Sequence, residues 1–365
     1  MSDVVLWIVV GTALAFDFTN GFHDTANAVA TSISTRAMPP KVAVSLAAVL
    51  NFVGAFLSLA VAATIASGIV QADLITPAIV FAGLIGAITW NLATWYFGLP
   101  ASSSHALIGG VVGSAFVAEG PDAVLGAGII EKVVVPGLVA PMLALVVTAI
   151  AISLAYRIVG RRRPGPVTRG FRLGQIVSGS LFSLSHGTND AQKTMGIIFL
   201  TLIANGNLSA SDDVPTWVVV SAATAIALGT YVGGWRIIKT MGSRIIKMDP
   251  AQGFAAQTVG ATVILSASHV GFPLSTTQVI SGSIMGAGAA KRLSAVRWGV
   301  AGNIAIAWVL TIPAAAAVGG LTYAVVALFG ADEAGPLVVA GLLLALLTAA
   351  FARRLATGRT LTAEG

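Results

Sequence analysis

Long apolar runs, separated by short polar clusters, occupy most of the chain. A helix needs about 20 apolar residues to cross the hydrocarbon core of a bilayer. Scanning on that basis predicts eleven segments, at 4–31, 42–68, 77–97, 102–118, 129–156, 173–204, 216–238, 251–268, 274–290, 297–327 and 335–356. The pattern predicts an all-α integral membrane protein with about 10–12 transmembrane segments, re-entrant hairpins included.

The composition supports a membrane protein. Hydrophobic residues make up 56% of the 365 positions, charged residues only 9%, and the mean hydropathy is +0.91. A soluble domain carries about 25% charged residues, so this chain has too few to coat a water-facing surface. The absence of cysteine excludes disulfides and thiolate metal sites.

The charges between the runs predict an orientation. The net charge is +6. The basic residues cluster in those connections between apolar segments that would all lie on one side of the membrane if the segments cross it in turn. Basic loops belong on the cytoplasmic side, which favours topology over nucleic-acid binding as the explanation of the charge. We therefore expect a multi-pass protein of a bacterial cell membrane, with the N-terminus outside and the C-terminus in the cytoplasm. The basic clusters are Arg36 and Lys41, 157–172, 236–247, 291–297, and Arg353, Arg354 and Arg359.

The most polar connection divides the chain into two halves. It contains the sequence RRRPGP and is predicted to be a basic cytoplasmic linker at 158–172. Residues 1–157 then form an N-terminal repeat, and 173–365 form a C-terminal repeat with one extra span.

Two motifs recur in the same order across this division. FDFTNGFHDTANAVAT (16–31) matches FSLSHGTNDAQKTMGI (182–197), and GLPASSSHALIGGVVG (98–113) matches GFPLSTTQVISGSIMG (271–286). Two separate matches argue against a chance likeness of Gly-rich and Ser-rich helices. In the predicted topology the two halves run in opposite directions, so they are inverted repeats. Such repeats are typical of secondary transporters that bind substrate near the membrane midplane.

The first motif pair places carboxylates inside apolar segments, where a charge costs about 2.5–3.5 kcal/mol. Asp24 and Asn27 are three residues apart and share a helix face, as do Asp190 and Lys193. Carboxylate and amide oxygens suit a hard cation such as Na⁺, and Lys193 could either neutralise Asp190 or contact an anion. The alternative is a polar network that only joins helices.

Glycines accompany both motif pairs. The glycine at the centre of each first motif, Gly21 or Gly187, is expected to permit a break in its helix. The downstream GxxxG spacings of the second pair, at 109–113 and 282–286, predict close helix packing.

Each member of the second motif pair predicts the start of a helix. Pro followed by Ser or Thr is a helix-start signature, and a helix N-terminus with its free N–H groups is an anion site. Ser102–His105 and Ser275–Gln278 could converge on one tetrahedral oxyanion. The alternative is a pair of capped turns at the protein surface, and spacing alone does not decide. His23 and His105 are interpreted first as hydrogen-bonded packing residues.

These residues resemble the inorganic phosphate transporter (PiT) family. GFHDTANAVATSISTRA (21–37) and SLSHGTNDAQKTMG (183–196) are similar to its duplicated signature, and PASSSH and PLSTTQ resemble its paired hairpins. The resemblance implies uptake of inorganic phosphate by secondary transport coupled to Na⁺ or H⁺, without a cofactor. The chain departs from many relatives in the Phe-His before Asp24 and in lacking a long hydrophilic central domain.

The resemblance also implies the site residues. The cation-binding set comprises two carboxylates, which would be the metal ligands of a sodium-coupled protein, and two amides: Asp24, Asp190, Asn27 and Asn189. The phosphate-binding set comprises the hairpin tips and one lysine: Ser102, Ser103, Ser104, Ser275, Thr276, Thr277, Gln278 and Lys193.

Other functions remain open at this stage. A sulfate symporter of the same family is the nearest alternative, because both anions are tetrahedral, and an anion channel is a weaker one. An enzyme is not expected, because no nucleophile motif or metal-ligand spacing is present. The expected partners are phosphate and membrane lipid, with a homo-oligomer possible and no nucleic acid.

Overall fold

Helices joined by short turns form almost all of the described chain. The computed structural model describes residues 3–356, with side chains to residue 350. Within that range the only β-pairing is an isolated bridge between Val70 and Val124. The helices are α1 (Asp3–Ser34), α2 (Pro40–Gly54), α3 (Ala60–Ser67), α4 (Pro77–Phe97), α5 (Ser103–Glu119), α6 (Gly126–Ile129), α7 (Val135–Val159), α8 (Pro164–Ala204), α9 (Thr216–Val232), α10 (Trp235–Lys239), α11 (Pro250–His269), α12 (Thr276–Lys291), α13 (Trp298–Leu328) and α14 (Ala334–Ala356).

The two halves have the same order of elements, and the all-α fold class is confirmed. Each half begins with a long helix, α1 or α8, and continues with a broken helix pair, α2–α3 or α9–α10. Then come a helix (α4 or α11), a turn, a short helix (α5 or α12) and a long helix (α7 or α13). The last helix, α14, has no counterpart in this order.

The long helices α1 and α8 lie antiparallel. Thr35, just after the end of α1, donates a hydrogen bond of 2.7 Å to Gln175 near the start of α8. Midway along both helices, Asp24 and Asp190 lie 3.5 and 3.1 Å from the Thr276 hydroxyl. This arrangement is compatible with inverted repeats.

Helices of one half pack mainly on helices of the other. The long helix α1 packs on α9, and its counterpart α8 packs on α2 and α3. In the same way α5 packs on α13, and α12 packs on α7. The side chains of Asn51 in α2 and Thr230 in α9 join the two broken pairs with a hydrogen bond of 2.8 Å.

The glycines of the motifs serve close packing. A Cβ at Gly21 would meet the backbone of α9, and a Cβ at Gly187 would meet the backbone of α2. Both α1 and α8 run unbroken through these positions, so the expected helix breaks are wrong. The GxxxG prediction holds, because Cβ atoms at positions 109 and 113 would meet the α13 backbone, and those at 282 and 286 the α7 backbone.

Two predicted spans are broken. The segment 42–68 is two helices separated by residues 55–59, and the segment 216–238 bends by 60° between Thr216–Val232 and Trp235–Arg244. Gly233 supplies the bend with a φ of 75°. By length and hydropathy alone, four of the described helices can cross a membrane, or five if this bent pair is one span. With 17 and 16 residues, α5 and α12 are too short to cross alone.

The basic ends of several helices meet on one face. Tyr156 and Lys291 both contact the Asp249 carboxylate, at 2.6 and 3.7 Å, and Arg297 donates to the Ser243 carbonyl at 3.2 Å. The helix α8 begins inside the predicted linker, so the second half of that linker is helical. The side chains of the basic residues after position 350 lie outside the described set, and the orientation in the membrane stays a prediction.

Replacing Gly187 with alanine is expected to destabilise the protein by about 1–3 kcal/mol, because the new methyl group overlaps the α2 backbone. The matched control is Gly11→Ala, where no heavy atom lies within 4 Å of the new Cβ and the helix gains about 0.5–1 kcal/mol. Thermal unfolding of the purified protein in detergent micelles measures both. Equal stability of the two variants would contradict the close contact.

Candidate functional site

Two matching hairpins begin the site. Ser102 and Ser275 cap α5 and α12, each accepting a hydrogen bond from the backbone amide three residues later, at 3.1 and 3.3 Å. Before each cap, a glycine adopts a left-handed conformation, with φ of 66° at Gly98 and 80° at Gly271. A Ser at this position satisfies one free N–H and leaves the others at the helix end available.

The residues after the caps are inside the protein. Ser103, Ser104, Thr276 and Thr277 are each at most 3% exposed. The alternative of two surface turns is therefore wrong. The hairpin tips face the middle of α1 and α8, where the first motif pair lies.

The Asp24 carboxylate receives donors from its own helix and both hairpins. The His23 ring nitrogen Nδ1 lies 2.6 Å from Asp24 Oδ1. The hydroxyls of Ser103 and Thr277 donate to the same oxygen at 3.2 and 3.3 Å. His23 Nε2 is 3.0 Å from the Thr94 hydroxyl on α4, which fixes the ring. His23 is therefore a direct partner of the carboxylate and more than a packing residue.

The Asp190 carboxylate is held by a lysine and a histidine of its own helix and by one hydroxyl. Lys193 forms a buried ion pair with Asp190 Oδ1, and His186 Nε2 lies 3.0 Å from Oδ2. The Thr276 hydroxyl donates to Oδ2 at 3.1 Å. Lys193 also bonds the Ser104 hydroxyl, which brings the lysine between the carboxylate and the first hairpin.

The two carboxylates share one site. Asp24, His186 and Asp190 each offer a ligand atom, and the three atoms lie within 4.8 Å of one another. His186 Nε2 is 4.0 Å from Asp24 Oδ2, so one imidazole approaches both acids. Carboxylate oxygens at this separation are the donor set of a hard cation.

Two amides complete the cluster. Asn27 donates to the hydroxyls of Thr276 and Thr277 at 3.2 and 2.8 Å, and Asn189 donates to the Leu274 carbonyl at 3.1 Å. Among the described residues, neither amide oxygen has a hydrogen-bond partner. Both oxygens are buried and remain available as acceptors or cation ligands.

Gln278 is a predicted phosphate-binding residue whose side chain the structure places outside the carboxylate cluster. Its amide nitrogen lies 3.4 Å from His105 Nδ1. The two side chains line a cavity of about 350 Å³ between α7 and α13, next to Gly137 and Trp308. Gln278 therefore hydrogen-bonds His105 and no residue of the carboxylate cluster. Conversely, His186 is a site residue that the motifs did not single out, although its place four residues before Asp190 puts it on the same helix face.

Comparison with known proteins identifies the family of the chain. Residues 20–319 match the Phosphate transporter family. The chain belongs to the phosphate transporter family. Probable low-affinity inorganic phosphate transporters of Mycobacterium bovis and Bacillus subtilis are 55% and 46% identical, covering 89% and 87% of this chain and 78% and 95% of theirs. A solved structure described as the sodium-dependent phosphate transporter aligns with a TM-score of 0.80 and 25% identity, covering 89% of this chain and 99% of that one.

Membership of the phosphate transporter family confirms the resemblance found in the sequence motifs. The relatives are named as transporters, so the chain is a transporter and not an enzyme. It is a multi-pass membrane protein.

Replacing Lys193 with methionine is expected to lower the unfolding free energy by about 3–5 kcal/mol, because it leaves Asp190 buried without its cation. Lys291→Met is the matched control. The Lys291–Asp249 pair is 58% and 36% exposed, so its loss costs about 0–1 kcal/mol. Chemical unfolding in detergent micelles compares them, and similar losses would contradict the buried pair.

Proposed function

We propose that the chain carries inorganic phosphate into the cell by symport with a cation, Na⁺ or H⁺, with alternating access to one site between its halves. The observation that carries the proposal is the meeting of Asp24 and Asp190, one from each half, beside the N-termini of α5 and α12. The relatives' names supply the anion, phosphate. The cell membrane is the corresponding location.

The phosphate would bind at the hairpin tips. Two helix N-termini, each with free N–H groups and about half a positive charge, favour a tetrahedral anion. The hydroxyls of Ser103, Ser104, Thr276 and Thr277 lie at those termini. Lys193, bonded to Ser104, adds a positive charge at the same place.

The cation would bind at the carboxylates. Asp24 and Asp190 bring two carboxylates to the site, and Lys193 is the one lysine paired with them. Two unit charges 4 Å apart interact by about 4 kcal/mol at an effective dielectric constant of 20. A phosphate anion beside this cluster is therefore repelled until a cation or proton enters. This mutual requirement couples the two ions.

Two sources of positive charge suit the site. His23 and His186 contact the acids, so an incoming H⁺ meets basic ring nitrogens as well as carboxylates. The carboxylate and amide oxygens of Asp24, Asp190, Asn27 and Asn189 suit Na⁺. The name of the solved neighbour, a sodium-dependent transporter, supports Na⁺.

Alternating access follows from the inverted arrangement. The site lies at the contact of α1 with α8 and of both hairpins with these helices. Antiparallel copies have mirrored routes to the two membrane faces. Movement of one half against the other would open each route in turn.

Asp24→Asn and Asp190→Asn are each expected to reduce cation-driven phosphate uptake by roughly tenfold or more, equivalent to about 1.4 kcal/mol. Uptake of labelled phosphate into proteoliposomes under an imposed Na⁺ or pH gradient measures this and identifies the coupling ion. Asp73→Asn, at an exposed carboxylate, is the charge-matched control. Full cation-dependent uptake by both site variants would overturn the proposal. Excess unlabelled sulfate should leave uptake intact, and suppression would favour the sulfate alternative.

The double variant Ser103→Ala with Thr277→Val is expected to raise the KM for phosphate, because each hydrogen bond to a charged group contributes about 1.5–3 kcal/mol. The same substitutions remove two donors from the Asp24 carboxylate, so some loss of thermal stability is expected as well. Ser153→Ala is the control, since that hydroxyl bonds only the backbone of its own helix α7. An unchanged KM would show that the hairpin hydroxyls do not hold the anion.

A further inference from the structure

Neutral polar side chains lie beyond the carboxylate cluster, toward the end of α1 that is predicted to face the cytoplasm. Ser32 is eight residues, or about 12 Å of helix, beyond Asp24. Its hydroxyl donates to Gln257 Oε1 of α11 at 3.3 Å and accepts from Gln257 Nε2 at 3.0 Å. Gln257 Nε2 also donates to the Ala28 carbonyl at 2.9 Å. The side chain of Gln257 thus bridges α11 to α1 just beyond the carboxylates.

The polar contacts continue onto α8. The Ser178 hydroxyl donates to Gln257 Oε1 at 3.4 Å, and Gln175 accepts a hydrogen bond from Thr35 at 2.7 Å. The side chains of Gln175 and Gln257 are fully buried. Among the described residues, Gln175 Nε2 and Thr31 Oγ1 have no hydrogen-bond partner. Three helices therefore form a polar seam, made of Ser32, Gln175, Ser178 and Gln257, in which some donors and acceptors are unused.

On the other side of the site, toward the predicted outside, the matching seam is apolar. The repeats relate α1 to α8 by 166 positions and α4 to α11 by 173. Ser32, Thr31, Gln175 and Gln257 therefore match Ile198, Ile197, Val9 and Leu84. These four counterparts belong to one apolar cluster and are each at most 2% exposed. The hydroxyls of Ser178 and Thr35 are matched by those of Thr12 and Thr201, so the two amides are what most distinguishes the polar seam.

Helix packing alone does not require the polar seam. The matching helices pack on the other side of the site with leucine, isoleucine and valine, and exchanging a hydrogen-bonded pair for apolar groups of the same shape is nearly neutral. A polar seam hydrates when its hydrogen bonds exchange with water, whereas an apolar constriction stays dry. Amides and hydroxyls offer both donors and acceptors, so they suit an anion and a cation alike.

We propose that the polar seam is the route by which phosphate and the coupling cation leave the site for the cytoplasm, and that Gln257 closes this route in the present structure. The inference deepens the proposed phosphate transport and rests on it. The backbone of α8 leaves room for the closure, because a Cβ at Gly179 would lie 3.0 Å from Gln257 Nε2 and 3.1 Å from the Ser32 hydroxyl. Release of Gln257 from Ser32 and Ala28 opens the route.

The first test uses the absence of cysteine from the chain, which makes any introduced thiol the only one. Membrane vesicles with the cytoplasmic face outward, containing Ser32→Cys or Ser178→Cys, are treated with a membrane-impermeant methanethiosulfonate. Both thiols are expected to react, because water reaches the polar seam when Gln257 moves. Ile198→Cys, at the position matching Ser32, is the control and should stay unmodified. Failure of both seam thiols to react would overturn the route, and so would equal labelling of Ile198→Cys.

The second test separates turnover from binding. Gln257→Leu, which gives α11 the residue that α4 has at the matching position, is expected to lower the kcat of phosphate uptake several-fold. Phosphate binding should stay close to wild type, because Gln257 does not contact the carboxylates. Thr262→Val is the control on the same helix, since that exposed hydroxyl bonds only the α11 backbone, at 2.9 Å. Wild-type kcat in Gln257→Leu would show that Gln257 does not close the route.

The route and the proposed function fail in different ways. Labelling of Ser32→Cys from the cytoplasmic face, in a protein that carries no phosphate, would support a water-accessible route and refute phosphate transport. Normal phosphate uptake by Gln257→Leu, together with unreactive thiols in Ser32→Cys and Ser178→Cys, would refute the route and leave phosphate transport standing. If Gln257→Leu does not fold, the two thiol variants decide the question.

Discussion

Two carboxylates buried at one point, in helices at lipid depth, impose the constraint on which the rest of the structure depends. Each acid must find positive charge or donors without water. Asp24 finds them in His23 and the hairpin hydroxyls, and Asp190 finds them in Lys193 and His186. The caps and turns of the hairpins, and the glycines that bring helix backbones together, all serve to bring those donors to the acids.

The same constraint accounts for the hydrogen bonds between the two halves. A carboxylate in α1 is served by hydroxyls from both hairpins, and the lysine of α8 bonds a serine of the opposite half. A site made this way exists only when both halves are in place. The geometry of the cluster is therefore sensitive to any movement of α1 against α8.

How far the sequence could predict the site depended on duplication. Asp24, Asp190 and the hairpin motifs were found because each occurs twice in a frame that tolerates few polar residues. His186 was missed although it lies four residues before Asp190 on the same helix face, and its approach to Asp24 on the other long helix is a contact that no linear pattern contains. The breaks after Gly54 and at Gly233 were missed because the apolar run continues through them. The helix breaks expected at Gly21 and Gly187 were wrong because a glycine favours a kink and a tight contact alike, and only the neighbouring backbone distinguishes them.

The crossed packing of α1 on α9 and of α8 on α2 has a consequence for biogenesis. A ribosome delivers the first half to the bilayer many seconds before the second, at about 5–20 residues per second. During that interval the glycine face of α1 and its acids have no partner from the later helices. The first half is therefore inserted in lipid before the helices that will cover its polar groups have been synthesised. In this interval, quality-control proteases and insertion chaperones have the most exposed polar surface to recognise.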